Sequence, residues 1–137
     1  MSLFNIFDIA SSGMSAQSVR LNITASNLAN ADSVGSSKDE IYRARQPVFA
    51  TVMKEAQNGL SVGSVEVKGV VEMQTDGREE YNPNHPMANY KCYIYHSNVD
   101  PMVEMANMIS ASRSYQNNVE VANTSKQLLL QTLRLGK

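Results

Sequence analysis

Between Pro101 and Gly136 lie thirty-four residues, Met102 to Leu135, without a glycine or a proline. Such a run predicts a single long helix. Asp100 ahead of it is a capping residue, and Pro101 suits a first turn because its missing N–H would be unpaired there anyway. Gly136 marks the stop. Small and apolar residues recur at steps of three and four through Met105, Met108, Ser112, Tyr115, Val119, Ala122, Leu129 and Leu133, with Lys126 the one charge in the line. This is a heptad seam. At about 1.5 Å per residue the helix spans roughly 50 Å. A compact chain of this size has a diameter of only roughly 37 Å. The helix therefore projects, and its projecting part is covered either by another long helix of the chain or by a neighbouring molecule.

The remaining surface of this helix carries few charges: Glu104, Arg113, Glu120, Lys126 and Arg134. Amides and hydroxyls such as Asn107, Ser114, Gln116, Asn117, Asn123 and Gln131 take their place. A solvated helix is normally laced with Glu/Lys pairs. Neutral polar groups leave water at lower cost than charges when they find partners. The pattern is that of a helix surrounded by protein.

The first thirty residues repeat the character of the last forty. Phe7, Met14, Leu21 and Leu28 fall at intervals of seven, each preceded three residues earlier by Phe4, Ser11, Ser18 and Ala25. The mostly small ridge lets a partner helix approach closely. Gly13 weakens this helix by about 1 kcal/mol relative to alanine. Asp8 and Arg20 are its only charges. The expected fold class is mainly α with a small β insert. The N- and C-terminal helices pack as an antiparallel coiled-coil pair, and a small antiparallel β segment between them sits at one end. Helical when packed by neighbours, the termini are expected to be disordered when free.

The expected organisation is a terminal helical unit from residues 1–32 and 98–137 with a β-rich middle from 33–97. The polar stretch 33–40 has the composition of a mobile loop. Pro47 to Val52, Ser64 to Met73 and Tyr90 to Tyr95 are rich in β-branched and aromatic residues, with Gly59, Gly63, Gly69 and Asp76-Gly77 between them. They are expected as strands. Tyr81 to Met87 contains Pro83 and Pro86, which hold the residues before them extended.

Several function classes lose support. A net charge of −1 and a pI near 6.1, with no basic run, give no footprint for nucleic acid. The single Cys92 rules out an intramolecular disulfide. The N-terminus lacks the basic region and cleavage site of a secretory signal, and no run has the eighteen or so apolar residues of a spanning helix, so the chain is not expected to be an integral membrane protein. His85, Cys92 and His96 are too few and too irregularly spaced for a metal site. No phosphate loop, GxSxG or HExxH motif is present. Neither an enzyme, a cofactor nor a metal is expected; the pattern points to assembly. A helical-hairpin adaptor or chaperone-type binding module is the alternative, and it requires ordered termini in the isolated chain.

Ser12-Gly13-Met14 with Ala16-Gln17, Arg20-Leu21, and then Ala25-Ser26-Asn27-Leu28-Ala29-Asn30-Ala31-Asp32 resembles the N-terminal signature of the bacterial flagellar rod, hook and hook-associated axial proteins. Tyr42-Arg43-Ala44-Arg45, Tyr81-Asn82-Pro83 with His85-Pro86-Met87-Ala88, and Asn98-Val99 leading into Met108 to Val121 narrow the resemblance to basal-body rod proteins. The resemblance covers nearly the whole chain, and Ile109 to Val121 is its most specific block. Two features depart from the family pattern. Asp32 is followed by Ser33-Val34-Gly35-Ser36 rather than Thr-Pro-Gly-Tyr, which suits a short proximal-rod subunit. Lys91-Cys92 stands where a glycine is expected before the Tyr93 strand.

The resemblance implies a structural subunit of a hollow, helically assembled drive shaft that transmits torque and allows protein export. Its terminal helices form the inner layer and its middle segment the outer wall. The implied partners are copies of itself, the proximal and distal rod proteins, the protein at the junction of rod and MS ring, and the flagellar type III export apparatus. The implied location is the periplasmic rod of the flagellar basal body, reached unfolded without a cleaved signal peptide.

Overall fold

The computed structural model describes residues 3–55 and 61–135. Helix α1 runs over Leu3–Ala29 and helix α2 over Pro101–Leu135, about 40 Å and 52 Å long respectively. Asp100 caps α2 as expected, its Oδ1 accepting the N–H groups of Met102 at 2.9 Å and Val103 at 3.3 Å. The stop assigned to Gly136 lies outside the described residues.

The two helices pack against one another with their contacts climbing one as they descend the other. Gly13 lies beside Asn118, Arg20 bonds Asn107, and Asn27 bonds Glu104. At the far end Ile6 borders Val121, Thr124 and Ser125. α2 therefore continues for roughly two turns beyond the start of α1.

The contact line on α2 is displaced by one residue from the heptad positions Met105, Ser112, Val119 and Lys126. Glu104, Ala111 and Ser125 are buried, and Asn118 meets Gly13 in the same series. On α1 the small ridge Ser11, Ser18 and Ala25 is exposed, while Ala10, Ala16, Thr24 and Asn27 are buried. The pattern of larger apolar residues loses to close approach. Alanine, serine and glycine let the backbones come near, and the Asn27–Glu104 hydrogen bond draws those faces inward.

Strands β1 (Val34–Gly35), β2 (Arg45–Glu55), β3 (Ser61–Glu72), β4 (Glu79–Tyr81) and β5 (Tyr93–His96) complete the described structure. β2 and β3 form an antiparallel hairpin, and β1, β5 and β4 form a second antiparallel sheet with β5 in the middle. The protein is thus mainly helical with small antiparallel sheets.

Contrary to the expected insert at one end of the helix pair, the hairpin folds back along α1. Pro47 and Phe49 border Arg20 and Thr24, and the Val65 N–H donates to Ser12 Oγ at 3.2 Å. Strands of eleven and twelve residues reach about 36 Å, long enough to cover α1 back to its first half. Val48 opposes Gly69 and Phe49 opposes Val67, leaving Lys68 as a bulge. The bulge keeps Val65, Val67 and Val70 on the face that also carries Pro47 and Phe49, the one turned to α1.

The strand expected from Tyr90 begins only at Tyr93. Cys92 has φ 64°, the left-handed region that favours glycine. The Asn89 side chain accepts the N–H groups of Lys91 at 2.8 Å and Tyr93 at 3.1 Å, and its carbonyl accepts that of Cys92 at 2.8 Å. These bonds turn the chain where alternation alone suggests extension.

Candidate functional site

The most constrained point of the molecule is the end of α1. Asn27 is 1% exposed and uses all four of its side-chain hydrogen-bonding positions. Its Nδ2 donates to the Arg45 carbonyl at 2.8 Å and to Glu104 Oε2 at 3.1 Å. Its Oδ1 accepts from the Arg45 N–H at 2.9 Å and from the Tyr42 hydroxyl at 2.9 Å. One amide thereby joins α1, the start of β2 and the first turn of α2.

Glu104 is 6% exposed and has no ion-pair partner among the described residues. Its charge is met by the Asn27 amide, by Asn107 Nδ2 at 3.4 Å, and by the positive end of the α2 dipole. Asn107 Oδ1 in turn accepts from Arg20 Nη2 at 3.2 Å. A polar chain from Arg20 through Asn107 and Glu104 to Asn27 thus borders a cleft of about 400 Å³ closed by Thr24, Pro47 and Phe49. Among the described residues, the bonds at Arg20 and Asn27 are the only side-chain hydrogen bonds between the two helices.

A second asparagine fixes the approach to α2. Asn98 Oδ1 accepts the Ala44 N–H at 2.7 Å, and its Nδ2 donates to the Thr75 carbonyl at 2.8 Å and the Met73 carbonyl at 3.3 Å. Gly77 lets the neighbouring strand pass, since a Cβ there would collide with the His96 carbonyl. Lys38 Nζ bridges Glu79 Oε1 and Asp76 Oδ2, each at 3.1 Å. The hydrogen bond to Glu79, followed by that to Asp76, raises the Lys38 pKa above its ordinary 10.5.

The family string at the end of α1 divides by role. Besides Asn27, Asn30 closes the helix: its Nδ2 donates to the Ser26 carbonyl at 2.8 Å and its own carbonyl accepts Ser33 Oγ at 2.8 Å. Leu28 and Ala31 are half-buried, and Ala29 and Asp32 are exposed. Along the helices, Phe7, Met14, Leu21 and Leu28 are half-buried, as are Met108, Ser112, Val119, Ala122 and Leu129. Met105, Tyr115 and Leu133 are exposed, at 47%, 37% and 63%. Sequence pattern missed Glu104, Asn107, Ala111 and Ser125 on the buried face. A lone acid one residue from an apolar line was the available signal for Glu104.

His85, Cys92 and His96 serve local structure. His85 Nδ1 accepts the Met87 N–H at 3.1 Å, and His96 Nε2 lies 3.0 Å from Glu80 Oε2. Among the described residues no cluster of three metal-ligating side chains occurs, and no helix is long and apolar enough to cross a membrane.

A family model described as flagella basal body rod protein matches residues 7–35. A second, described as flagellar basal body rod FlgEFG protein C-terminal, matches residues 91–135. Over all 137 residues, and the full length of each relative, the chain is 52% identical to the flagellar basal-body rod protein FlgC of Yersinia enterocolitica. It is 51% identical to that of Escherichia coli O157:H7 and 50% identical to that of Salmonella typhimurium, again at full coverage of both chains. The chain belongs to the FlgC family. It is a structural rod subunit of the flagellar basal body. The two matched regions hold α1 with Asn27 and α2 with Glu104, so the clasp joins them, whereas the β2–β3 hairpin lies between them.

Proposed function

We propose that this rod subunit builds the proximal rod by helical assembly with copies of itself and with the other proximal and distal rod proteins. The assembly is a hollow shaft in the periplasm that transmits torque and leaves a path for protein export. α1 and α2 form an antiparallel coiled coil in its inner layer, residues 33–97 form the outer wall, and Phe7, Met14, Leu21, Leu28 and the line from Met105 to Leu133 supply contacts to neighbouring subunits. The chain reaches the periplasm through the flagellar type III export apparatus without a cleaved signal, meets the protein at the MS-ring junction, and performs no catalysis.

The observation that carries this reading is the imbalance between core and surface. Among the described residues the buried apolar ones are Ala10, Ala16, Ala44, Ala111, Ile41, Ile94 and Val99, four of the seven being alanine. Ten large apolar residues of α2 alone are exposed, up to Leu135 at 87%. An apolar surface of that extent on a helix with few charges calls for protein neighbours. Contacts that repeat head to tail without closing propagate a helix. Deleting residues 1–20 tests the reading in cells that lack their own copy of the chain. The truncated chain is expected to be absent from purified basal bodies and to leave cells non-motile; incorporation with normal swimming overturns it.

A further inference from the structure

The polar chain that starts at Asn27 ends in a guanidinium with donors to spare. Arg20 is half-buried, and its Nη2 donates to Asn107 Oδ1 at 3.2 Å, one bond from a group with five N–H donors. It has no ion-pair partner among the described residues. Glu104, the acid bordering the same cleft, gives its two oxygens to Asn27 and Asn107. Arg45, the other cation there, is taken by Glu72 at 3.0 Å. One turn along α1 from Arg20, Thr24 also lines the cleft. Thr24 is 4% exposed, and its hydroxyl has no hydrogen-bond partner among the described residues. Buried hydroxyls are normally bonded. The exposed Arg113 and Arg134 also lack an acid, but water serves them; Arg20 is set in a cleft and held in place.

We propose that this cleft receives the carboxylate of an aspartate or glutamate side chain on a neighbouring rod subunit, with Arg20 as the fork that grips it and Thr24 as a further donor. This inference rests on the reading of the chain as a rod subunit and gives one of its contacts a chemistry. A planar guanidinium matches the two oxygens of a carboxylate. Asn107, tied through Glu104 to Asn27, fixes the fork from behind, so little freedom is lost when the acid arrives. Glu104 does not oppose it, since two amides and the positive end of the α2 dipole meet its charge. The need arises on assembly. Neighbours that cover α1 take water from Arg20, and a buried charge without its opposite is costly. The described fold supplies no acid of its own within ion-pair reach, and a space of about 400 Å³ walled by Pro47 and Phe49 is left for one.

The test uses full-length chains in flagellated cells lacking their own copy. Arg20→Lys puts an amine in the cleft. A water-soluble carbodiimide, applied to purified basal bodies, joins an amine to a touching carboxylate as an amide, and the displaced oxygen leaves with the reagent as a urea. Mass spectrometry is expected to find this lysine linked to an aspartate or glutamate of a neighbouring chain. Ser18→Lys, on the exposed ridge of α1 outside the cleft, is expected to lose that product. Gln46→Lys sets the amine at the cleft wall with Arg20 intact, and its product decides the matter where Arg20→Lys chains stay out of the rod. Incorporated chains linked only to their own Glu104, chains with no inter-chain product, or an equal yield from Ser18→Lys overturn the proposal while leaving the rod reading intact. Absence of the unmodified chain from basal bodies overturns the rod reading and the proposal with it.

Discussion

Asn27 Nδ2 lies 3.1 Å from Glu104 Oε2, and this hydrogen bond ties the last turn of α1 to the first turn of α2. The same amide holds the Arg45 backbone through both its N–H and its carbonyl. Asn27→Ala leaves these groups and the buried carboxylate without partners and is expected to cost about 3 kcal/mol. Asn27→Asp loses the donor and sets two carboxylates side by side, and costs more than Asn27→Ala. Urea denaturation of the full chain, followed by circular dichroism, checks both the size and the order.

Cys92 occupies a left-handed backbone position, φ 64°. A residue with a Cβ is disfavoured there by roughly 1–2 kcal/mol. Cys92→Gly is therefore expected to stabilise the chain by about 1 kcal/mol, after allowing for the greater freedom of glycine in the unfolded chain. A lower thermal midpoint for the glycine variant contradicts the assignment of strain at this turn.

Gly77 is required for a different reason, the close passage of the His96 carbonyl. Gly77→Ala is expected to part the sheet around β5 at a cost of about 2–3 kcal/mol, the scale of an overpacked site. Hydrogen exchange should show protection lost in β4 and β5 while the centres of α1 and α2 keep theirs.

At Gly13 the neighbour can yield. A Cβ there would lie 2.8 Å from Asn118 Nδ2, the mobile end of a side chain. Gly13→Ala gains about 1 kcal/mol of helix propensity, offset by the displaced amide, and is expected to be near neutral. Gly13→Leu wedges the helices apart and is expected to destabilise by about 2 kcal/mol. Thermal melts of the two variants separate close approach from simple propensity.

Lys38 gives the chain an alkaline signature. Its pKa is raised above 10.5 by Glu79 and Asp76, so the folded state holds its proton more tightly than the unfolded one. The associated stability is fully present below pH 10.5 and is lost as pH rises through the higher folded-state value. Lys38→Met removes this part of the pH dependence, as stability profiles between pH 9 and about 12 will show. Salt should shrink the difference, because all three side chains face solvent.

What the sequence made legible was local. The long α2 helix, its Asp100 cap and the β-branched strands follow from neighbouring residues, and the structure places them over Pro101–Leu135, Arg45–Glu55 and Ser61–Glu72. The clasp was hidden because Asn27 meets Tyr42, Arg45 and Glu104 only after folding; in sequence it was one letter of a family string. The face of α2 that meets α1 was read one residue away, since apolar spacing points to Met105 whereas close approach and a polar bond select Glu104. β1, with two residues, pairs through His96 and Tyr95 and carries no pattern of its own. The hairpin's return along α1 depends on strand length rather than on residue type.

Among the described residues, both polar ties between the helices, at Asn27 and at Arg20, lie toward the sheet end. The pair is therefore built like tongs, gripped at the pivot and unfastened at the tips. Toward the tips the two helices meet through packing, Gly13 against Asn118 and Ile6 beside Val121, so that end of the pair depends on close fit where the pivot depends on hydrogen bonds. A bulkier side chain near the tips therefore loosens the far end while the grip at Asn27 holds.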